Sequence, residues 1–338
     1  MGELRMKELV DGFNRIHRDL RVSLTDRCSL RCNYCMPQDF DKWLPTEELL
    51  TSDELMTVIE VATEHGIDQV RLTGGEPLLR PDIVDIISRI KSLPKAPELS
   101  ITTNALRLAK LAAPLFEAGL SRVNVSLDTL DRERFKTMTH RDRFDDVIAG
   151  LNAARQAGLR PIKINSVLMQ GINEDEAPAL LKWAISEGFS LRFIEQMPLD
   201  AGGIWNRSTM VTAQAIFESL APHFTLSPVP ARGSAPAEEF FVDGGPATVG
   251  IIASVSQPFC GSCDRIRLTS DGQLRSCLFS RDEMDLRKIL RDAELTQDEV
   301  RQVISSRLQK TVEGKLAGHG INNPDFVQPT RPMSAIGG

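Results

Sequence analysis

Between Leu20 and about Gln196, short runs rich in β-branched residues alternate with stretches whose apolar residues recur at helical spacing. The strand-like runs are 20–25, 69–73, 99–103, 122–127, 161–168 and 191–197. Leu55, Val58, Ile59 and Ala62 mark one helical face; Ile83, Val84, Ile86, Ile87 and Ile90 mark another. The stretch 51–54, Thr-Ser-Asp-Glu, reads as a helix start, and Pro81-Asp82 suits a first helical turn. Strand and helix alternating at this spacing predict right-handed crossovers onto a parallel sheet. Six such units fall short of the eight in a closed TIM barrel, so an open partial barrel and a doubly wound sheet both fit. Either one gathers ligands at the carboxyl ends of its strands.

The pattern changes after Met197. A glycine-containing loop is expected over 200–207, a helix over 213–220, and a loop rich in Pro, Gly and Ala over 227–236. Short strands are expected from 240 to 277, including a hairpin that turns at Asp271-Gly272. Helices follow over 284–291 and 296–306, and the tail 322–338 reads as extended. The expected division is a barrel unit over 1–200 and a smaller α+β region over 201–338.

At 338 residues the chain is long for one compact core, but ordinary for an α/β barrel with an appendage. Its net charge of −6 and aromatic content of 5% argue against a nucleic-acid surface, which is normally basic or offers stacking platforms. No apolar run approaches the roughly 20 residues of a membrane span, and the first stretch of the chain is too charged for a secretory signal. A cytoplasmic protein without membrane contact is expected. There, six cysteines point to metal ligands or catalytic groups rather than disulfides. They fall into two triplets, Cys28, Cys32 and Cys35 near one end and Cys260, Cys263 and Cys277 near the other.

The first triplet directly follows the first predicted strand, at the ligand end of the sheet. Three thiolates in one loop can hold three irons of a [4Fe–4S] cluster and leave the fourth iron open. A structural zinc would need a histidine nearby, and His17, upstream of the strand, is the closest in sequence. The spacing, with Tyr34 just before the last cysteine, resembles the radical S-adenosylmethionine superfamily. That resemblance implies that the open iron chelates S-adenosylmethionine and that the reduced cluster splits it to a 5′-deoxyadenosyl radical. Thr73-Gly74-Gly75-Glu76-Pro77 is similar to the superfamily's Gly-Gly-Glu-Pro loop. On the same resemblance, Tyr34, Gly75, Ser126 and Met197 contact S-adenosylmethionine. Taken alone, the last three read as an ordinary turn, a strand-end hydroxyl and a core methionine.

The second triplet repeats the three-thiolate arrangement, and by itself it fits zinc about as readily as iron–sulfur. It runs into Asp264-Arg265-Ile266-Arg267-Leu268-Thr269, where Arg265 and Arg267 share one side of a strand. Beside an open metal position, such a pair suits a phosphate-bearing ligand. The segment 19–28, Met36-Pro37, the run 260–269 and the terminal Gly337-Gly338 together resemble one branch of the superfamily, the one that begins molybdenum cofactor biosynthesis. The resemblance runs from Arg18 to the C-terminus. It implies a partial (β/α)6 TIM-type barrel with a C-terminal α+β extension, and two [4Fe–4S] clusters, the second open to the guanine of GTP. It also implies that Arg21, Arg71, Thr102, Lys163, Arg192, Arg265, Ile266 and Arg267 hold GTP. Gly337 and Gly338 would reach the active site and, with Arg265, Arg267 and the first triplet, take part in catalysis.

The implied reaction converts GTP to (8S)-3′,8-cyclo-7,8-dihydroguanosine 5′-triphosphate. The implied partners are GTP, a flavodoxin- or ferredoxin-type electron donor, the cyclic pyranopterin monophosphate synthase downstream, and a second copy in a homodimer. One residue departs from the branch: Ala105 stands where its Thr-Thr-Asn-Gly motif has Gly. Ala takes positive φ less freely, so the local turn is expected to differ. Two other readings are a related radical enzyme acting on a peptide and a non-catalytic zinc or iron–sulfur module. Arg265 and Arg267 favour the nucleotide over the peptide, and the Gly-Gly-Glu-Pro loop with six βα units disfavours the module.

Overall fold

The computed structural model describes residues 7–200, 203 and 205–337. Six strands appear in the first part: β1 (Asp19–Ser23), β2 (Gln69–Thr73), β3 (Glu98–Thr103), β4 (Arg122–Ser126), β5 (Ile162–Val167) and β6 (Ser190–Ile194). They lie side by side in chain order, all parallel, with helices between them. The α/β partial barrel anticipated from the sequence is the architecture observed.

The later strands are β7 (Leu226–Pro228), β8 (Glu238–Val242), β9 (Thr248–Ile252), β10 (Arg265–Leu268), β11 (Gln273–Arg275) and β12 (Met284–Asp285). They do not form a separate sheet. β10 pairs parallel with β1 and β9 pairs parallel with β6, so both edges of the six-stranded sheet are extended, giving twelve strands in the order β12-β11-β10-β1-β2-β3-β4-β5-β6-β9-β8-β7.

Several later elements differ from expectation. The expected loop 227–236 begins inside β7, which pairs antiparallel with β8. The expected helix 284–291 starts as β12, drawn onto the edge of the β10–β11 hairpin, and is helical only over Arg287–Leu290. The helix expected to end at 306 continues over Gln297–Glu313. The tail is not simply extended: it ends in a helical turn, Met333–Ile336, whose Met333 N–H donates to the Leu199 carbonyl at 2.9 Å. Ile336 packs there with Leu199, Met210, Val255, Phe279 and Ile321 in a small cluster apart from the main core.

Strand alternation explains the sheet's chemistry. Leu20, Val22, Val70, Leu72, Val123, Val125, Ile164, Leu191, Phe193, Ile266 and Leu268 are buried in the main core. The positions between them, on the other face, are Arg21, Arg71, Asn124, Lys163, Asn165, Arg192, Arg265 and Arg267. A barrel interior is ordinarily filled by branched apolar side chains. This one is lined with cations and amides.

Candidate active site

The parallel strands give the site two ends. Cys28 follows β1 at the carboxyl end of the sheet, whereas Cys263 precedes β10, which runs parallel to β1, at the amino end. The triplets therefore flank the barrel interior from opposite sides.

At the carboxyl end, the loop carrying Cys28 is folded against the Gly-Gly-Glu-Pro loop. Gly75 N–H donates to the Thr25 carbonyl at 2.7 Å, and Glu76 N–H to that of Arg27 at 2.8 Å. A Cβ on Gly75 would overlap the carbonyl oxygens of Asp26 and Arg27, so only glycine allows this approach. Leu30 N–H and the Asn104 side-chain amide lie 3.5 and 3.7 Å from Cys28 Sγ. Tyr34 donates to Asp128 Oδ2 at 2.9 Å, and Val167 N–H to Asp128 Oδ1 at 2.8 Å. Burial pushes the Asp128 carboxyl up to about 6. Burial, with Glu76 adding to it, pushes the Cys28 thiol up to about 11; burial and the neighbouring Cys28 push Cys35 up to about 12, and burial with Asp128 raises Cys32 well above its ordinary value.

Glu76 itself ties β2 to β3. It accepts from Leu78 N–H at 3.0 Å, Thr103 Oγ1 at 2.6 Å and Asn104 N–H at 2.7 Å, and burial still raises its carboxyl to about 7. This knot decides the Ala105 question. Ala105 adopts φ +64°, the left-handed conformation that glycine takes freely. The cost is about 1–2 kcal/mol, and the bonds from Thr103 and Asn104 to Glu76 hold the turn against it.

At the amino end lies a cavity whose wall includes Cys260, Cys263 and Cys277 together with Arg21, Arg71, Thr102, Arg192, Arg265, Arg267 and Met197. The buried Arg21 reaches Asp19 at 3.3 Å, and Arg192 lies 3.9 Å from Glu239. Arg71 touches only Ser100 Oγ, at 3.3 Å, and among the described residues has no carboxylate within ion-pair distance. Burial and the facing Arg21 hold its guanidinium well below the ordinary value. Arg21 Nε, Asn165 Oδ1 and Arg265 Nη2 are buried with no hydrogen-bond partner among the described residues. Unpaired cations and orphaned polar atoms in one enclosed space are costly unless an anionic, hydrogen-bonding ligand completes them.

Not every candidate residue meets there. Lys163 lies on β5 two residues before Asn165, outside the cavity wall itself, and burial together with Arg192 brings its ammonium down to about 8. Ile266 turns its side chain into the apolar core, leaving only its backbone beside Arg265 and Arg267. Ser126 ends β4, beside Asn165 of β5. Gly337 sits at φ +86°, where a Cβ would come within 2.7 Å of Ser23 and Thr73, and its carbonyl accepts from the buried Arg267. Gly338 lies outside the described residues.

Other residues around the second triplet were not singled out from the sequence. Phe259 is stacked under the guanidiniums of Arg232 and Arg265, with 4.9 and 5.0 Å to the ring centre. Lys315 donates to Cys263 Sγ at 3.5 Å and to the Arg265 carbonyl at 2.6 Å. Arg15 donates to the Cys260 carbonyl at 2.6 Å. Burial raises the Cys263 thiol, but Arg265 and Lys315 outweigh it and bring it down to about 7. A thiol so poised is a ready metal ligand.

Two family models cover most of the chain: Radical SAM superfamily over residues 22–184 and Molybdenum Cofactor Synthesis C over residues 189–317. The chain is similar to GTP 3′,8-cyclase of Streptomyces coelicolor, 55% identical over 98% of this chain and 96% of that one. It is similar to GTP 3′,8-cyclase 2 of Mycobacterium bovis at 52% identity, over 98% and 92%. Among solved structures, Streptococcus suis SuiB bound to S-adenosylmethionine shares the fold at 15% identity, TM-score 0.58, covering 95% of this chain and 77% of that one. Native anSMEcpe with bound AdoMet does so at 14% identity, TM-score 0.59, covering 87% and 80%. No helix among the described residues is long and apolar enough to cross a membrane.

Proposed function

The chain belongs to the GTP 3′,8-cyclase family of radical S-adenosylmethionine enzymes, and from that premise we propose how its residues divide the work. The protein converts GTP to (8S)-3′,8-cyclo-7,8-dihydroguanosine 5′-triphosphate, the first step of molybdenum cofactor biosynthesis.

Two [4Fe–4S] clusters are held, one by Cys28, Cys32 and Cys35 and one by Cys260, Cys263 and Cys277. The donor sets suit them: the first is three thiols in the loop after β1, the second brings Cys277, after β11, to the same cavity wall as Cys260 and Cys263, and Cys263 is already charge-matched by Arg265 and Lys315. When bound and reduced, the first cluster supplies the electron that splits S-adenosylmethionine, giving the radical that takes the 3′ hydrogen of GTP. Tyr34, Gly75, Ser126 and Met197 line the place for S-adenosylmethionine. Residues 1–200 carry the first cluster and the barrel strands that face both ligands, and 201–338 carry the second cluster with Arg265, Arg267 and the tail.

Arg21, Arg71, Arg192, Arg265 and Arg267, with Lys163 and Thr102, hold the nucleotide. The single observation that carries this is Arg71, half-buried in the cavity wall, facing Arg21, with no carboxylate within ion-pair distance among the described residues. A triphosphate supplies the missing charge, and a peptide substrate does not. Cyclisation joins the ribose to C8 of the base, so ribose and guanine must be held face to face away from water. The buried wall between the two triplets does that, with Gly337 and Arg267 closing it toward the first triplet. The ionic balance of an acidic chain around a basic interior draws the polyanion inward. The electron donor is a flavodoxin- or ferredoxin-type protein, the product passes to cyclic pyranopterin monophosphate synthase, and a homodimer in the cytoplasm is the working form.

Anaerobic reconstitution with dithionite, S-adenosylmethionine and GTP, followed by mass spectrometry, tests the division of roles. Arg265→Ala and Arg267→Ala should weaken GTP binding while 5′-deoxyadenosine still forms. Equal loss of nucleotide binding and S-adenosylmethionine cleavage would contradict it.

A further inference from the structure

The second triplet has an outer side as well as an inner one. A cleft opening away from the barrel interior is lined by Cys260, Cys263, Cys277, Arg15, Lys315 and His319, among others. Lys315 belongs to this outer cleft and not to the wall of the inner cavity. It follows the long helix Gln297–Glu313 and is buried, with an N–H held to the Val312 carbonyl at 3.0 Å. Its ammonium donates to the Arg265 carbonyl at 2.6 Å and to Cys263 Sγ at 3.5 Å.

The segment around it is fixed. Arg15 donates to the carbonyls of Leu316 at 2.7 Å, Ala317 at 3.1 Å and Cys260 at 2.6 Å, and is itself gripped by Asp11 at 2.6 Å. The lysine is therefore presented to one cysteine sulfur by a rigid bracket. Nucleotide in the inner cavity meets the same cysteines beside Arg265, which lines that cavity and whose Nε lies 3.4 Å from Cys263 Sγ. The role of Lys315 is thus separable from substrate binding, whereas that of Arg265 is not.

We propose that Lys315 is a positioning residue that sets the electron affinity of the second triplet's iron–sulfur centre, holding its reduction potential above that of the first. The inference rests on reading Cys260, Cys263 and Cys277 as cluster ligands. Adding an electron to a cluster adds negative charge, so a fixed cation and an N–H···S bond stabilise the reduced form more than the oxidised one. At the first triplet carboxylates of Glu76, Asp128 and Asp200 act on the sulfurs; Cys28 Sγ has neutral donors in Leu30 N–H and the Asn104 amide, but no lysine or arginine hydrogen-bonds to a sulfur there among the described residues. An electron offered to both centres settles on the second.

The test is an anaerobic redox titration of the reconstituted protein followed by electron paramagnetic resonance, with iron and sulfide counted in parallel. The wild type should hold about eight irons, with the second centre reduced at the higher potential. Lys315→Met should lower the potential of the second centre alone. Lys315→Arg should keep it near the wild-type value, and Lys315→Gln, which retains a donor without the charge, should fall between. If Lys315→Met loads poorly, the step from Arg to Gln carries the same expected sign. A full iron count with an unmoved second potential, or a shift shared by both centres, overturns the proposal alone. Loss of the second centre's iron from Lys315→Arg as well as from Lys315→Met overturns it too, by making Lys315 a prop. A wild type holding only about four irons overturns the two-cluster reading beneath it.

Discussion

The two cysteine triplets look alike in sequence and are half-buried alike, and burial raises the Cys260 thiol as it raises those of the first triplet, yet Cys263 stands in an opposite field. Around Cys28, Cys32 and Cys35, burial and nearby carboxylates keep the thiols protonated, up to about 11 and 12 for Cys28 and Cys35. Around Cys263, two cations draw the thiol down to about 7. The difference matches the charges of the ligands proposed for each. S-adenosylmethionine brings a sulfonium cation to the first end, and GTP brings a polyanion to the second. The environment of a metal-binding triplet thus identifies its co-ligand better than the cysteine spacing does.

The comparison can be broken most sharply at the cysteines. Cys28→Ala should abolish 5′-deoxyadenosine formation and lower the iron count from about eight to about four. Cys263→Ala should give the same iron count but keep S-adenosylmethionine cleavage within about tenfold of wild type, because only the nucleotide end is disturbed. Chromatography of 5′-deoxyadenosine alongside iron analysis checks both; a Cys263→Ala protein that cleaves no S-adenosylmethionine would merge the two ends into one unit.

The cationic end can be probed next with Arg71→Met. Loss of a charge-assisted bond to phosphate should weaken GTP binding by roughly ten- to a hundredfold. Removing a half-buried cation that has no carboxylate partner should leave the melting temperature unchanged or raise it. Calorimetric binding and thermal unfolding, read together, distinguish this from a simple structural defect, in which both would fall.

Lys163 adds a pH signature of intermediate size. Without nucleotide its ammonium gives up its proton near pH 8, and a bound triphosphate raises that value. GTP affinity should therefore be flat below pH 8 and fall as pH rises through it, by up to about tenfold per unit. Lys163→Met should bind more weakly at pH 7 and lose this added slope. The smallest effect is expected at the first end: Tyr34→Phe removes one hydrogen bond to Asp128. It should cost about 1 kcal/mol of stability, with the KM for S-adenosylmethionine raised only a fewfold.

Much of the fold was legible because its periods are regular. Leu20-Arg21-Val22 and Val70-Arg71-Leu72 already show apolar and cationic positions alternating, and the six parallel strands follow from the βα spacing. What followed residue 197 was less legible, because its strands are defined by the edges they join. β12 is two residues long and exists only because β11 offers it a partner; β7 likewise needs β8. In the site, cysteines and arginines announce themselves by type and spacing. Lys315 and Arg15 do not, since each acts through a sulfur or a backbone carbonyl some 50 to 250 positions away in the chain. The tail was misjudged from its prolines and glycines, while Met333 and Ile336, one helical turn apart, were its docking signal.

The sheet's extension at both edges bears on how the protein comes into being. A ribosome releases β1 to β6 first, with the loop of Cys28, Cys32 and Cys35 already complete. Until β9 emerges at Ile252 the nascent sheet presents an unpaired parallel edge at β6, and until β10 emerges at Leu268 it presents another at β1. Such edges are templates for association with other chains. Termination of synthesis anywhere between 195 and 264 would leave the β1 edge bare, so truncated chains of that length should aggregate during translation, whatever the state of their first triplet.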